Sequence, residues 1–141
     1  MIPMNQQENS NKRKGTLNRD WGAFAEDRAA EYLRKQGYTI LERNLKFNKI
    51  EIDIVAQKNQ EIVFVEVKAR SGDYQDPVEA VDRKKRAKIT AGADIYLRRL
   101  DQLYQYRFDI ITLTGNQQDF TLEHYEDAFM PALKSGGHRF G

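Results

Sequence analysis

The chain has 141 residues, no cysteine and a net charge of only +2. That length supports one domain around a single core, and the missing thiols exclude disulfides, thiolate catalysis and cysteine-ligated zinc. No run approaches the ~18 apolar residues of a membrane span and the start has no apolar leader-like segment, so a cytoplasmic protein with no membrane partner is expected.

Residues 1–15 are polar, rich in Asn, Gln and Lys and without periodicity, which predicts a disordered tail. The folded domain is expected over 16–133, with a Gly-rich second tail over 134–141. Helix signals begin at Asn18 or Asp20, either of which can cap. Trp21, Ala25, Ala29 and Tyr32 recur at helical spacing, Leu33 widens the stripe, and Gly37 is placed to end the helix. Glu26 shares a face with Ala29, Ala30 and Leu33. On spacing alone it reads equally as a functional acid at the edge of the buried stripe and as a first-turn carboxylate favoured by the helix dipole.

Tyr38 to Arg43 predicts a first strand, and residues 44–49 the turn into a second. Arg43 and Lys46 read equally as cations flanking a cleft and as plain surface charges. Glu51 to Ala56 and Glu61 to Lys68 are two runs rich in Ile, Val and Phe, joined by Gln57-Lys58-Asn59-Gln60. They predict a hairpin. Pairing about Asn59-Gln60 sets Asp53 directly opposite Glu66, and strand alternation puts Glu51, Asp53, Glu66 and Lys68 on one face. Like charges directly opposite are destabilising. Either Lys68 neutralises the pair on a solvated face, or a divalent cation with oxygen ligands does so.

Arg70-Ser71-Gly72-Asp73 has loop signals, and Pro77 predicts a short turn or helix over 78–81. A longer helix is expected from about Asp82. Its apolar stripe would run through Ala87, Thr90/Ala91, Asp94/Ile95 and Leu97, with Arg83 and Arg86 on the opposite face. Arg83-Lys84-Lys85-Arg86, followed by Lys88, puts cations at a helix start that the dipole does not call for. A phosphate partner explains their density there better than helix stability does. Arg107 to Leu113 predicts a core strand, Gly115-Asn116 a turn, Phe120 to Tyr125 a last strand, and Ala128-Phe129 a return onto the sheet. His124 and His138 read as bystanders.

Asp53 followed one strand later by Glu66-x-Lys68 resembles the PD-(D/E)xK nuclease superfamily. The wider pattern resembles the bacterial YraN-like proteins, which are similar to archaeal Holliday-junction resolvases. It comprises Gly22-x-x-x-Glu26-x-x-Ala29, Gly37-Tyr38-x-Ile40-Leu41-x-Arg43-Asn44, Glu51-Ile52-Asp53, Phe64-Val65-Glu66-Val67-Lys68-x-Arg70, Glu79-Ala80-Val81, Lys84-Lys85, Arg107-Phe108-Asp109 and Ala128-Phe129. It departs at Ile50, where the family has Gly before Glu-Ile-Asp.

The resemblance implies an α/β fold with a restriction-endonuclease-like αβββαβ core, its mixed central sheet flanked by helices. It implies an endonuclease hydrolysing phosphodiesters in branched or flap DNA with Mg²⁺ (or Mn²⁺). Asp53 and Glu66 would hold the ion, helped by Glu26 as third acid and by the carbonyl of Val67. Lys68 would stabilise charge on the phosphate, its neighbouring carboxylates keeping it protonated. Arg43, Lys46, Arg70, Arg83, Lys84, Lys85 and Arg86 would bind the nucleic-acid backbone, and similarity to junction resolvases implies a homodimer. Two other readings stand beside it. One is a non-catalytic nucleic-acid-binding or adaptor protein on the same fold; the other is a module whose basic helix meets an acidic protein.

Overall fold

Ile62 through Glu66 are all buried, and such a run needs cover on both faces. It forms the middle of strand β3 (Glu61–Arg70), the centre of a five-stranded sheet. The computed structural model describes the backbone of residues 6–72 and 83–129, and the side chains from Asp20 onward within those stretches. Helix α1 (Gln6–Lys35) precedes β1 (Thr39–Phe47) and β2 (Ile50–Lys58). After β3 come helix α2 (Arg83–Arg98), β4 (Gln105–Gly115) and β5 (Phe120–Tyr125). The sheet order is β1-β2-β3-β4-β5. Only β3 and β4 pair in parallel, and α2 lies in the crossover that a parallel pair requires. This is a mixed α/β fold in the order αβββαββ, the expected αβββαβ series followed by one more strand, and it is compatible with a restriction-endonuclease-like core.

Alternation along β3 divides the core into two. Val63 and Val65 pack with Ala25, Ala29, Ala30 and Leu33 of α1. Ile62 and Phe64 pack with Ile89, Ala93 and Tyr96 of α2, so the helices cover opposite faces. α1 ends as expected at Gly37, whose φ is 95°. The Gly37 N–H bonds the Arg34 carbonyl and the Tyr38 N–H bonds the Leu33 carbonyl, both at 3.0 Å, which is the Schellman pattern. Phe129 returns onto Phe108, ring centroids 5.1 Å apart, and the Ala128 N–H donates to the Phe108 carbonyl at 2.7 Å.

Four local expectations are corrected. Helix α1 begins at Gln6, inside the segment expected to be a tail. Asn18 and Asp20 therefore lie within it instead of capping it. Gln, Glu, Lys and Arg lose little freedom in a helix, so a helix anchored by its packed second half extends at small cost. β1 does not stop at Arg43 but continues to Phe47, because Asn44 takes φ 51° without leaving the strand and Asn tolerates that region. The turn shrinks to Asn48-Lys49, between the paired Phe47 and Ile50.

The buried stripe of α2 is Ile89, Gly92, Ala93 and Tyr96, out of phase with the expected one. Gly92 carries no apolar side chain to reveal it, yet it packs directly against Ile50 and Ile52 of β2. Finally, β2 does not alternate throughout. Ile54 joins the α1 core whereas Ile52, two residues earlier, joins the α2 core. The strand rolls about its axis at Asp53, opposite Asn44, where the β1–β2 pairing skips a pair. The expected short element over 78–81 and the tail over 134–141 lie outside the described residues.

Candidate active site

The β2–β3 register is the one the hairpin predicted, from Lys58↔Glu61 to Ile54↔Val65. The ladder stops there, one pair short of Asp53 and Glu66. Because the strand rolls at Asp53, its carboxylate swings along the sheet, and Oδ2 accepts the Val67 N–H at 2.8 Å. An acid thus fills a main-chain hydrogen-bonding place, which fixes its position. Glu66 points to the α2 face, its side chain only 7% exposed. The Lys85 Nζ of α2 lies 2.5 Å from Glu66 Oε1, and Lys68 Nζ lies 3.6 Å from the same oxygen.

Asp53, Glu66 and Lys85 meet at a pocket of about 410 Å³ lined by Lys49, Ile50, Glu51, Asp53, Glu66, Lys84, Lys85, Lys88 and Ile89; Lys68 stands beside Glu66 without lining it. Glu51, Asp53 and Glu66 therefore do come together, through the roll in β2 and not through simple alternation. Lys49 and Lys88 were not counted among the site cations. Lys88 follows Lys84 and Lys85 at four and three residues, a helical spacing that signals a shared face. Lys49 is brought in by the tightened hairpin turn, which no spacing announced.

Electrostatics follow from crowding. Burial, reinforced by Glu66, pushes the Asp53 carboxyl up to about 7, against the Val67 hydrogen bond. Burial also raises Glu26, with Arg43 and a hydrogen bond from Asn44 opposing. Lys68 is held below the ordinary lysine range by burial and by the adjacent Lys85, which together outweigh Glu66 and Asp53. The expectation that the carboxylates would dominate Lys68 is thus corrected, because α2 brings a second ammonium that the sequence did not place there. Lys85 moves the other way: burial opposes its charge, but hydrogen bonds to Glu66 and Lys68 raise it.

The remaining expected residues spread out. Glu26 reaches Asp53 electrostatically from the α1 face but does not line the pocket. Among the described residues no three Asp, Glu, His or Cys side chains are close enough to enclose a metal ion. The donor set still suits Mg²⁺, which takes one or two carboxylates and completes its shell with water and substrate phosphates; the pair is Asp53 and Glu66. Val67 enters through its N–H. Arg43 is bound to Asp27 at 3.0 Å and ties β1 to α1. Lys46 is exposed on β1, Arg70 is partly buried at the end of β3, and Arg83 is exposed at the start of α2. Arg86 lies over the Phe129 ring, 5.5 Å from its centroid, and does not line the pocket.

A second polar cluster was missed. The fully buried Asp109 accepts from Arg107 Nε (2.9 Å) and Nη2 (3.0 Å) and from the Asp127 N–H (2.9 Å). His124 Nε2 lies 2.7 Å from Asp109 Oδ2, and its Nδ1 3.1 Å from the Tyr32 hydroxyl. Arg107 also donates to Glu61, Tyr38 and Glu126. None of these residues lines the pocket; together they join α1, β3, β4 and β5. Arg107-Phe108-Asp109 carried the signal, and His124 is a structural partner of it.

A family model for "uncharacterised protein family UPF0102" matches residues 25–113. The chain belongs to that family. The matched span of this UPF0102 protein includes Glu26, Asp53, Glu66, Lys68 and Lys85, and the family is the YraN-like one whose resemblance the motifs carried. A UPF0102 protein of Phocaeicola vulgatus is 43% identical over 115 residues, covering 81% of this chain and 95% of its own. Another, from Parabacteroides distasonis, is 43% identical over 78% of this chain and 92% of its own. One from Syntrophotalea carbinolica is 44% identical over 77% and 89%. Among the described residues no helix is long and apolar enough to cross a membrane.

Proposed function

We propose that this UPF0102 protein is a metal-dependent endonuclease acting on phosphodiesters in structured DNA. The observation that carries the reading is one pocket lined by three acids, Glu51, Asp53 and Glu66, together with four lysines, Lys49, Lys84, Lys85 and Lys88. The acids suit a hard cation, and the lysines suit the anionic backbone that must approach it. When bound, Mg²⁺ supplies Lewis-acid polarisation of the phosphoryl group and a more acidic water.

The chain's own residues do the rest. The Val67 N–H orients Asp53, and Lys84 and Lys88 hold the backbone at the pocket mouth. Lys68, ion-paired with Glu66, stabilises the charge that builds on the phosphate. Among the described residues no element offers a recognition helix for base edges, so selection rests on backbone shape. Symmetric cutting of a four-way junction needs two such sites, so the reading includes a homodimer.

Cleavage of four-way, flap, single-stranded and linear duplex DNA is the test, run with Mg²⁺, Mn²⁺ or EDTA and with a Glu66→Gln control. Metal-dependent cutting absent from the control supports the enzyme. Salt-sensitive binding without cutting supports the second reading, a nucleic-acid-binding protein on the same fold. That alternative is favoured by one observation: Lys85 already neutralises Glu66.

A further inference from the structure

Glu66 is buried, and a carboxylate at that depth must have a partner at all times. Its nearer partner is a lysine from another element: Lys85 Nζ sits at 2.5 Å from Oε1, against 3.6 Å for Lys68 of the same strand, while the Lys85 side chain remains 38% exposed. We propose that Lys85 is an exchangeable counter-ion, which holds Glu66 in the metal-free protein and yields it when a divalent cation and a phosphodiester enter together. The proposal rests on the reading of Asp53 and Glu66 as the ion-holding pair, and adds how occupancy of that pair is coupled to substrate.

Three features support the exchange. Lysine is a compact charge on a long pivoting stem, so its head can change partners without moving the helix. The half-exposed side chain stands on the wall of the pocket whose other cations are Lys49, Lys84 and Lys88. A phosphate drawn in by those lysines lies within the same pocket and provides the anion to which Lys85 transfers. A cation arriving alone meets the Lys85 ammonium at the oxygen it needs, and like charges at such distances repel strongly in a partly buried site. A cation arriving with a phosphodiester meets a freed carboxylate. By reciprocity the phosphodiester binds more tightly when the cation is present. Lys85 is thus a positioning residue that disfavours idle metal loading.

The test is Mn²⁺ binding to the full chain without DNA, by calorimetry and by loss of the free-ion paramagnetic resonance signal. Thermal melts of every variant establish folding. Lys85→Gln and Lys85→Met should bind Mn²⁺ at least about tenfold more tightly than the wild type, because each removes the competing charge. Lys85→Arg, which retains it, should bind no more tightly than the wild type, and Glu66→Gln should lose the site. Glu66-dependent binding that is equal or weaker in both neutral variants overturns the exchange and leaves the acid pair standing. Binding unaffected by Glu66→Gln, or absent from all the variants, overturns the acid pair and the exchange with it.

Discussion

Ile50 and Gly92 occupy one space: a β-carbon placed on Gly92 would stand 2.8 Å from Ile50 Cγ2 and 3.2 Å from Ile52 Cδ1. Ile50 is accommodated by the helix opposite, where the bulk of β2 is matched by the bareness of α2. Gly92→Ala should therefore lower stability by about 1–2 kcal/mol through overpacking. The same change on an open helix face would gain up to about 1 kcal/mol. In an Ile50→Ala background it should become neutral or stabilising. Urea melts of the double-mutant cycle decide this, and additive effects would refute the shared space.

The crowding at Asp53 has a pH signature. Its carboxyl is raised from 3.8 to about 7, so between those values the folded protein holds a proton that the unfolded chain has released. Stability contributed by that proton is present at low pH and lost as pH rises toward 7. Asp53→Asn retains an oxygen for the Val67 N–H without the charge. It should match the wild type near pH 4 and exceed it by several kcal/mol at pH 8. Parallel stability–pH curves for the two proteins would contradict the assignment.

Asp109 runs in the opposite direction. Burial pushes its carboxyl up, but hydrogen bonds from His124, Arg107 and the Asp127 N–H outweigh it and hold it below the ordinary range. Its stabilisation is therefore present above the unfolded value of about 3.9 and is lost as pH falls below it. Asp109→Asn leaves Arg107 without its bidentate partner and should cost about 3–5 kcal/mol, read in urea melts at neutral pH. A loss below about 1 kcal/mol would show that the cluster does not join the sheet to α1.

Lys84 and Lys88 line the pocket and are exposed, whereas Lys85 is engaged with Glu66. The Lys84→Ala, Lys88→Ala double variant should weaken binding to every DNA shape and reduce the slope of log K against log salt by about 2. Anisotropy titrations at several salt concentrations measure it, and an unaltered slope would remove both lysines from the phosphate path.

Much could be read from the chain alone, because it depended on neighbours in sequence. Gly37 ended α1 since the left-handed φ favours glycine. The Asn59-Gln60 turn set the β2–β3 register, because a short loop leaves strands little choice of partner. The Asp53 and Glu66-x-Lys68 pattern pointed to the pocket where the acids meet. What lay beyond the chain were relations between residues far apart in it. Strict alternation was assumed for β2, and only the sheet revealed the roll at Asp53, produced where Asn44 on the facing strand leaves the extended region. The phase of α2 depended on Gly92 fitting against Ile50, a steric match that hydrophobic periodicity does not encode. Lys85 read as one cation in a basic run; its place on Glu66 was decided when the crossover laid α2 over the end of β3. Local backbone chemistry determines elements and registers, but the partner of a buried charge is chosen by packing.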